Sequence, residues 1–324
     1  FASVEKVRLV CSGTEAVMTA IRVARGYTHK DLIIKMAGCY HGHSDSLLVS
    51  AGSGAAEHSA PSSAGIPPAI ANLTVVIPYN DIEAIKKCFM VHRGQIAAVL
   101  VEPVAANMGV VPPADGYLQM VRDLCDAEKA VLIFDEVITG FRVAYGGAQE
   151  LYGIKADLTC MGKIIGGGLP LAAVGGQAGI MDMLAPMGPV YQAGTLSGNP
   201  LATAAAIAML DILAKGDCYD KLEAKAAMLA EGLKDAAGVA GVPVTINRVG
   251  SILSCFFTDR PVCNLEDVQS TDIRQFKKFF AEMLNQGIYI APSAYEAMFV
   301  SLAHSKRDIE KTIEASRAAF KAIQ

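Results

Sequence analysis

An acid and an amine 28 positions apart, Asp135 and Lys163, stand where a chain delivers groups that do chemistry. Asp135 ends the apolar run Val131-Leu-Ile-Phe, β-branched at Val131 and Ile133, which reads as a buried parallel strand. Lys163 follows a second such run, Leu158-Thr-Cys-Met, and precedes Gly166-Gly-Gly-Leu-Pro. A third, Ala97-Ala-Val-Leu-Val, ends at Glu102-Pro103. In open α/β sheets ligands sit at the carboxyl ends of the strands, so three buried runs each bring an ionisable group to the same kind of place. A lysine can form a Schiff base with a carbonyl, and an acid can keep a pyridine nitrogen protonated so that the ring accepts electrons. Together they point to pyridoxal phosphate. Taken singly, each has a plainer reading, the acid as a helix cap or turn residue and the lysine as a solvated loop residue. The pair in this order is the more specific signal.

The elements that must position these groups follow in chain order. Val7-Arg-Leu-Val-Cys reads as a strand, and Ser12-Gly-Thr-Glu opens a helix with Ser12 and Glu15 in capping-box spacing. Gly26 is the expected helix end. Gly13 and Thr14 present backbone amides at that helix N-terminus, where a phosphate would be stabilised. The plain alternative is an ordinary capped helix. Leu32-Ile-Ile-Lys-Met is a strand running into Gly38-Cys-Tyr-His-Gly-His, where Tyr40 is placed to stack on a planar cofactor. His41 and His43 lack a third ligand at sensible spacing, so no metal is expected. Residues 49–71 are rich in Gly, Ser, Ala and Pro without periodicity, and read as a mobile lid or as simple disorder. Thr74-Val-Val-Ile is a strand, Asp81 to Val91 an amphipathic helix, and Asn107 lies beyond the strand that ends at Glu102, where its amide could reach a phenolate oxygen. Tyr117 to Glu128 is helical. Val137 is a candidate floor for a ring, or equally a core residue. Leu171-Ala-Ala-Val-Gly-Gly is a strand of small residues, and Asn199-Pro200 starts a helix to about Ala214. Gly194 and Thr195 form a second possible phosphate contact.

From about residue 215 the pattern changes to a helix (219–237), strand-like runs at Val242-Pro-Val-Thr-Ile and Ile252-Leu-Ser-Cys-Phe-Phe, a helix (272–285), a strand at Gly287-Ile-Tyr-Ile-Ala and a last helix opened by Ser305. Two domains are therefore expected: residues 1–214, an α/β cofactor-binding domain with a mainly parallel sheet, and residues 215–324, a smaller α+β domain.

The bulk composition sets bounds. A chain of 324 residues, 52% hydrophobic and 19% charged, is long enough for more than one domain and is not a disordered tail. A net charge of -4 offers no general attraction to nucleic acid or to an anionic membrane. The longest apolar helix candidate, from Leu201, meets Asp211 too early to cross a bilayer. Eight scattered cysteines without a C-x-x-C pair are expected to be buried thiols in a reducing compartment. With no signal peptide in view, the expected location is the cytosol, or a plastid stroma in a photosynthetic eukaryote. The chain opens on Phe1, almost directly on a strand, so an upstream segment is expected.

With these residues assembled, the chain resembles the class-III aminotransferase-like group of pyridoxal phosphate enzymes, and within it the glutamate-1-semialdehyde 2,1-aminomutase family. The resemblance runs from Val7 to the C-terminus. It rests on Ser12-Gly-Thr-Glu-Ala, Gly38-Cys-Tyr-His-Gly-His, Phe134-Asp-Glu-Val-Ile-Thr-Gly-Phe-Arg, Gly162-Lys-Ile-Ile-Gly-Gly-Gly-Leu-Pro and Tyr191-Gln-Ala-Gly-Thr-Leu-Ser-Gly-Asn-Pro. Cys11 and Ala37 depart from it, standing where relatives commonly have asparagine and an acid.

The resemblance implies an aspartate-aminotransferase-like large domain and a pyridoxal 5'-phosphate or pyridoxamine 5'-phosphate cofactor. Lys163 would carry the cofactor and move protons, Asp135 would pair with the pyridine nitrogen, Tyr40 would lie against the ring and Asn107 would reach the 3-oxygen. Ser12, Gly13 and Thr14 would hold the phosphate, with Thr195 supplied by the partner of a homodimer. Ser53 falls in the stretch matching the family's gating loop, and Glu296 matches an acid near the substrate. The family's reaction converts glutamate 1-semialdehyde to 5-aminolevulinate through a diaminovalerate intermediate, for tetrapyrrole synthesis. In relatives the upstream segment completes the small domain and contributes groups that hold the substrate carboxylate. An ω-aminotransferase of the same fold is the near alternative, since it would share Asp135 and Lys163, and a non-catalytic cofactor-binding protein is the remote one.

Overall fold

The computed structural model describes residues 1–51 and 59–324, and these divide into two compact units. The first unit comprises Phe1–Pro103 and Pro113–Ala214, and the second Val104–Pro112 and Lys215–Gln324. The segment 104–112 thus leaves the strand that precedes it and clusters with the C-terminal part of the chain.

Nine strands belong to the first unit: β1 (Lys6–Val10), β2 (Leu32–Met36), β3 (Val49–Ala51), β4 (Ser59–Pro61), β5 (Thr74–Ile77), β6 (Ile96–Val101), β7 (Val131–Glu136), β8 (Leu158–Met161) and β9 (Ala172–Gly176). Seven of them form one sheet in the order β1-β9-β8-β7-β6-β2-β5. Neighbours from β5 through β8 run parallel, while β9 is antiparallel to both β8 and β1. Strands β1, β2, β5, β6, β7 and β8 therefore all point one way, and their carboxyl ends share one edge. The central strands β6 and β7 are buried along their whole length, as expected of parallel strands covered on both faces. The helix Gly13–Thr28 covers one face through Ala16, Val17, Ala20, Ile21, Val23 and Ala24.

The small residues of β9 have a steric reason. A Cβ at Gly176 would lie 2.1 Å from the carbonyl oxygen of Asp157, and one at Gly175 2.9 Å from that of Lys6. Only a strand without side chains there can sit between β8 and β1 at this spacing.

The expected mainly parallel α/β sheet is the sheet observed. Three local expectations are corrected. The first helix does not stop at Gly26 but continues to Thr28, with His29 capping it in the left-handed region. Gly26 serves packing instead, since a Cβ there would lie 2.7 Å from Val190. The stretch 49–71 is not wholly irregular: β3 and β4 pair antiparallel, and Pro68–Ala71 makes one helical turn. Ser53 and the expected lid tip lie outside the described residues. Residues 287–291 form no strand. Their alternating Ile288 and Ile290 pack on the core of the second unit, which supplies the apolar pattern without a ladder.

The second unit contains the antiparallel sheet β10 (Thr245–Val249), β11 (Ile252–Phe256) and β12 (Met298–Phe299). Helices Cys218–Ala240, Ile273–Asn285 and Lys306–Ala322 pack beside it. The first and last of these approach closely at Gly232, where a Cβ would meet Ile313 at 2.4 Å. Three aromatic rings close the core: Phe279 stacks on Phe320 at 4.5 Å between centroids, and Phe257 lies 5.5 and 6.0 Å from them. The segment 104–112 is fastened here by Gly109 N–H to the Tyr295 carbonyl, Val110 N–H to Ser254 Oγ and Asn247 Nδ2–H to the Val110 carbonyl.

Phe320 is fully buried at the centre of that cluster. Phe320→Ala is expected to lower the unfolding free energy by about 3–5 kcal/mol, the scale of an emptied aromatic site. Denaturant titration measures it, and a loss under about 1 kcal/mol would mean the ring cluster does not hold this unit.

Candidate active site

Five chain segments meet at the carboxyl edge of the large sheet. Beyond β1, Ser12 caps the helix Gly13–Thr28: its Oγ accepts the Glu15 N–H at 3.2 Å, and Glu15 Oε2 accepts the N–H groups of Ser12 and Cys11 at 3.0 and 2.6 Å. The cap occupies the Glu15 amide. The amides of Gly13 and Thr14, in the first turn, have no acceptor within the helix by geometry. That end carries the positive pole of a 16-residue helix.

Beyond β2, the chain reverses through Gly38 and Gly42, both with positive φ (82° and 86°). A Cβ at Gly42 would stand 2.5 Å from Thr14 Oγ1, so this turn rests directly on the helix start. It presents two side chains in opposite environments. Tyr40 is 51% exposed, its ring available as a flat surface, while His41 is 2% exposed. The Tyr40 N–H is held by Glu102 Oε1, from the end of β6, at 2.8 Å.

Beyond the body of β7, Asp135 is buried with both oxygens engaged: Oδ2 with His41 Nδ1 at 2.8 Å, and Oδ1 with the Val137 N–H at 3.1 Å. The imidazole reaches over the end of β6 to do this, since β6 separates β2 from β7. Strand alternation sends the adjacent Glu136 to the other face. There its carboxylate accepts the Thr139 hydroxyl and the amides of Ala148 and Gln149, at 2.5, 2.9 and 3.0 Å. Burial pushes the Glu136 carboxyl up and those hydrogen bonds pull it back. It anchors the loop that follows β7.

Val137 is wedged between glycines of two other segments. A Cβ at Gly13 would lie 3.0 Å from its Cγ1, and one at Gly162 3.1 Å. Gly162 precedes Lys163, which opens the short 3-10 turn Lys163–Gly166 with φ 49° and an exposed side chain. Register ties this lysine to the acid, because Asp135 pairs with Cys160 and Glu136 with Met161. The turn is backed by the helix Pro200–Leu213, where a Cβ at Gly167 would lie 2.9 Å from the Ala205 carbonyl.

The sequence-expected residues thus divide. Ser12, Gly13, Thr14, Tyr40, Asp135, Val137 and Lys163 converge on one edge of the first unit. Thr195 lies in an exposed loop of that unit. Asn107 belongs to the segment 104–112 of the second unit, and Glu296, exposed, also belongs to the second unit. Ser53 lies outside the described residues.

His41 was legible as a residue of the turn but not in its role. Spacing pairs it with His43, which is exposed, whereas its hydrogen-bond partner, Asp135, comes from β7. Ligand atoms of Cys39, His41 and Glu102 lie within 4.8 Å of one another, all buried. Burial pushes the Cys39 thiol well up, which keeps its proton on, and Glu102 is already bonded by the Tyr40 amide. Glu102 thus serves the turn as a hydrogen-bond acceptor.

The arrangement fits a flat, anionic, nitrogen-bearing cofactor. A helix start with spare amides suits a phosphate, an exposed phenol ring and a wedged valine offer apolar faces, a locked carboxylate suits a protonated ring nitrogen, and an exposed lysine just after the neighbouring strand offers an amine.

Comparison with known proteins agrees with this geometry. The family profile "Aminotransferase class-III" matches residues 1–320. A glutamate-1-semialdehyde 2,1-aminomutase of Desulforamulus reducens is 57% identical over 320 residues, covering 99% of this chain and 74% of that protein. Among solved structures, an omega-transaminase from Sphaerobacter thermophilus superposes with a TM-score of 0.93 at 35% identity, covering 99% of this chain and 75% of that one. A transaminase with PLP bound superposes with a TM-score of 0.88 at 31% identity, covering 99% and 74%.

Removing the imidazole leaves a buried carboxylate short of a donor. His41→Ala is expected to cost about 1.5–3 kcal/mol of stability, the range for a hydrogen bond to a charged group. His43→Ala, on an exposed side chain, should stay within about 0.5 kcal/mol. Equal effects of the two in denaturant titration would remove His41 from its supporting role.

Proposed function

The chain belongs to the class-III aminotransferase family, and from that premise we propose that it moves an amino group from carbon 2 to carbon 1 of glutamate 1-semialdehyde. The product is 5-aminolevulinate, a tetrapyrrole precursor. The observation that carries this reading is the likeness along nearly the whole chain to a curated aminomutase, 57% identity over 99% of this chain. Lys163 and Asp135 are common to both chemistries and cannot separate them, so the sequence-wide likeness favours the isomerase over an ω-aminotransferase.

Pyridoxal 5'-phosphate, or its amine form, supplies when bound an electron sink next to the reacting carbons. The protein's own residues do the rest. The amides of Gly13 and Thr14, with the Ser12 cap behind them, receive the phosphate. Asp135, its oxygens fixed by His41 and the Val137 amide, keeps the ring nitrogen charged. Tyr40 and Val137 supply apolar faces for the ring. Lys163 Nζ would hold the cofactor and would hold and return the proton exchanged at the substrate carbons. Asn107 is assigned to the ring's 3-oxygen, Glu296 to the substrate and Ser53 to gating.

We also propose a homodimer in which Thr195 completes the partner's phosphate site. The helix Pro200–Leu213 buries only Ala202, Ala206 and Leu213, yet leaves Leu201, Ile207 and Ile212 exposed beside Tyr191 and Leu196. A helix apolar on nearly all sides calls for cover on all sides. Among the described residues, no helix is long and apolar enough to cross a membrane.

Supplied with glutamate 1-semialdehyde and no keto-acid acceptor, the protein is expected to form 5-aminolevulinate. Turnover only when a keto acid is added would assign it to the ω-aminotransferases. Lys163→Ala should abolish both turnover and the visible absorbance of the lysine-bound cofactor while leaving the circular dichroism of the fold intact; a cofactor carrier without catalysis would show the absorbance without turnover in the parent protein. Asp135→Asn should slow turnover by about 10²–10³-fold, the scale of losing one preorganised electrostatic partner, and a near-normal rate would undo its role. The double substitution Leu201→Asp and Ile207→Asp should yield monomers in sedimentation analysis with most activity lost; active monomers would exclude shared sites.

A further inference from the structure

Glu102 takes no part in the chemistry above, yet it is a carboxylate 3% exposed at the end of the strand between those that deliver Tyr40 and Asp135. Its backbone is held rigidly. The Tyr79 hydroxyl, itself buried, donates to the carbonyls of Glu102 and Pro103 at 3.2 and 3.1 Å, and the Tyr79 ring lies 5.3 Å from that of Tyr117. Its side chain reaches to the β2 turn, where Oε1 accepts the Tyr40 amide at 2.8 Å and an oxygen lies within 4.8 Å of ligand atoms of Cys39 and His41. Nearby, the ammonium of Lys35 is buried in β2 and bonded to the Leu47 carbonyl. Burial pushes Lys35 down, and the Glu102 carboxylate opposes that.

The turn it holds is pliable by composition. Gly38 and Gly42 flank Cys39, Tyr40 and His41, both in the left-handed region, and the backbone bond inside the turn, from Cys39 N–H to the Met36 carbonyl, is long at 3.3 Å. Two glycines permit the reversal but do not hold the three residues between them. His41 is tied at its far end to Asp135, whereas the exposed ring of Tyr40 depends for its position on its own backbone.

We propose that Glu102 is a positioning residue of the cofactor cradle: by accepting the Tyr40 amide it holds the Gly38–Gly42 turn at the height that sets Tyr40 against the ring and His41 against Asp135. This rests on the reading of the site as a pyridoxal phosphate cradle. The acceptor's placement, more than its charge, is the working part. Glutamine preserves an oxygen at that place without charge, and aspartate preserves the charge but draws the oxygen back by one methylene.

The test titrates cofactor-free protein with pyridoxal 5'-phosphate, following visible absorbance and the induced circular dichroism of the bound ring, for the parent, Glu102→Gln and Glu102→Asp. Glu102→Gln should bind within about threefold of the parent and Glu102→Asp about tenfold more weakly, the effect of one hydrogen bond. The induced dichroism should fall in Glu102→Asp and be retained in Glu102→Gln. The reverse ranking, with Glu102→Asp equal to or better than Glu102→Gln, would overturn the proposal in favour of a purely electrostatic role. Equal loss in both with lowered thermal midpoints would reduce Glu102 to general structural support. Failure of the parent protein to develop cofactor absorbance would instead refute the underlying reading of the site.

Discussion

A carboxylate and an imidazole 2.8 Å apart, both shut away from water, set the terms for everything around them. Asp135 sits at the end of a fully buried strand, where an unsupported carboxylate would be strongly destabilised. It is kept there by two donors, one from its own chain two residues on and one from a turn two strands away. The second donor makes the first strand pair answerable to the site, because His41 can reach Asp135 only if β2, β6 and β7 keep their order and parallel direction. The central sheet is thus more than a scaffold with residues attached. Its strand order is what closes the Asp135–His41 bond.

The same logic runs through the close contacts. At Gly42 over Thr14, Gly162 beside Val137 and Gly167 against Ala205, backbones approach to distances that a Cβ would prevent. Each contact joins a segment carrying a functional group to another such segment or to the helix behind it. Packing and site construction coincide because the groups sit on the turns themselves, at a shared edge, rather than on long loops that would need separate bracing.

Much of this was readable in advance, and for identifiable reasons. Buried parallel strands print as continuous apolar runs, so β2, β5 and β8 and Asp135 near the end of β7 stand out, and capping-box spacing marks Ser12 as a helix start. Asp135 and Lys163 stand out because each comes at or just after the end of such a run. Other features were hidden for equally physical reasons. Gly26 has the composition of a helix end, but it is set by a neighbour, Val190, that local pattern cannot show. Ile288 and Ile290 alternate as strand residues do, yet core packing accounts for their alternation. His41 and Glu102 are 61 positions apart, and only the strand order brings them together. The allegiance of 104–112 to the second unit rests on contacts with residues 247, 254 and 295, far beyond any local window.

Val137 carries a consequence for how such a chain can change over generations. The two positions that confine it, Gly13 and Gly162, already have the smallest side chain available, so neither can retreat to make room. Growth at 137 has no compensating exchange next door, and growth at either glycine would have to be matched by shrinkage at 137. The three positions therefore share one capped volume: 137 can shrink alone, whereas any gain at a glycine must be matched by a loss at 137.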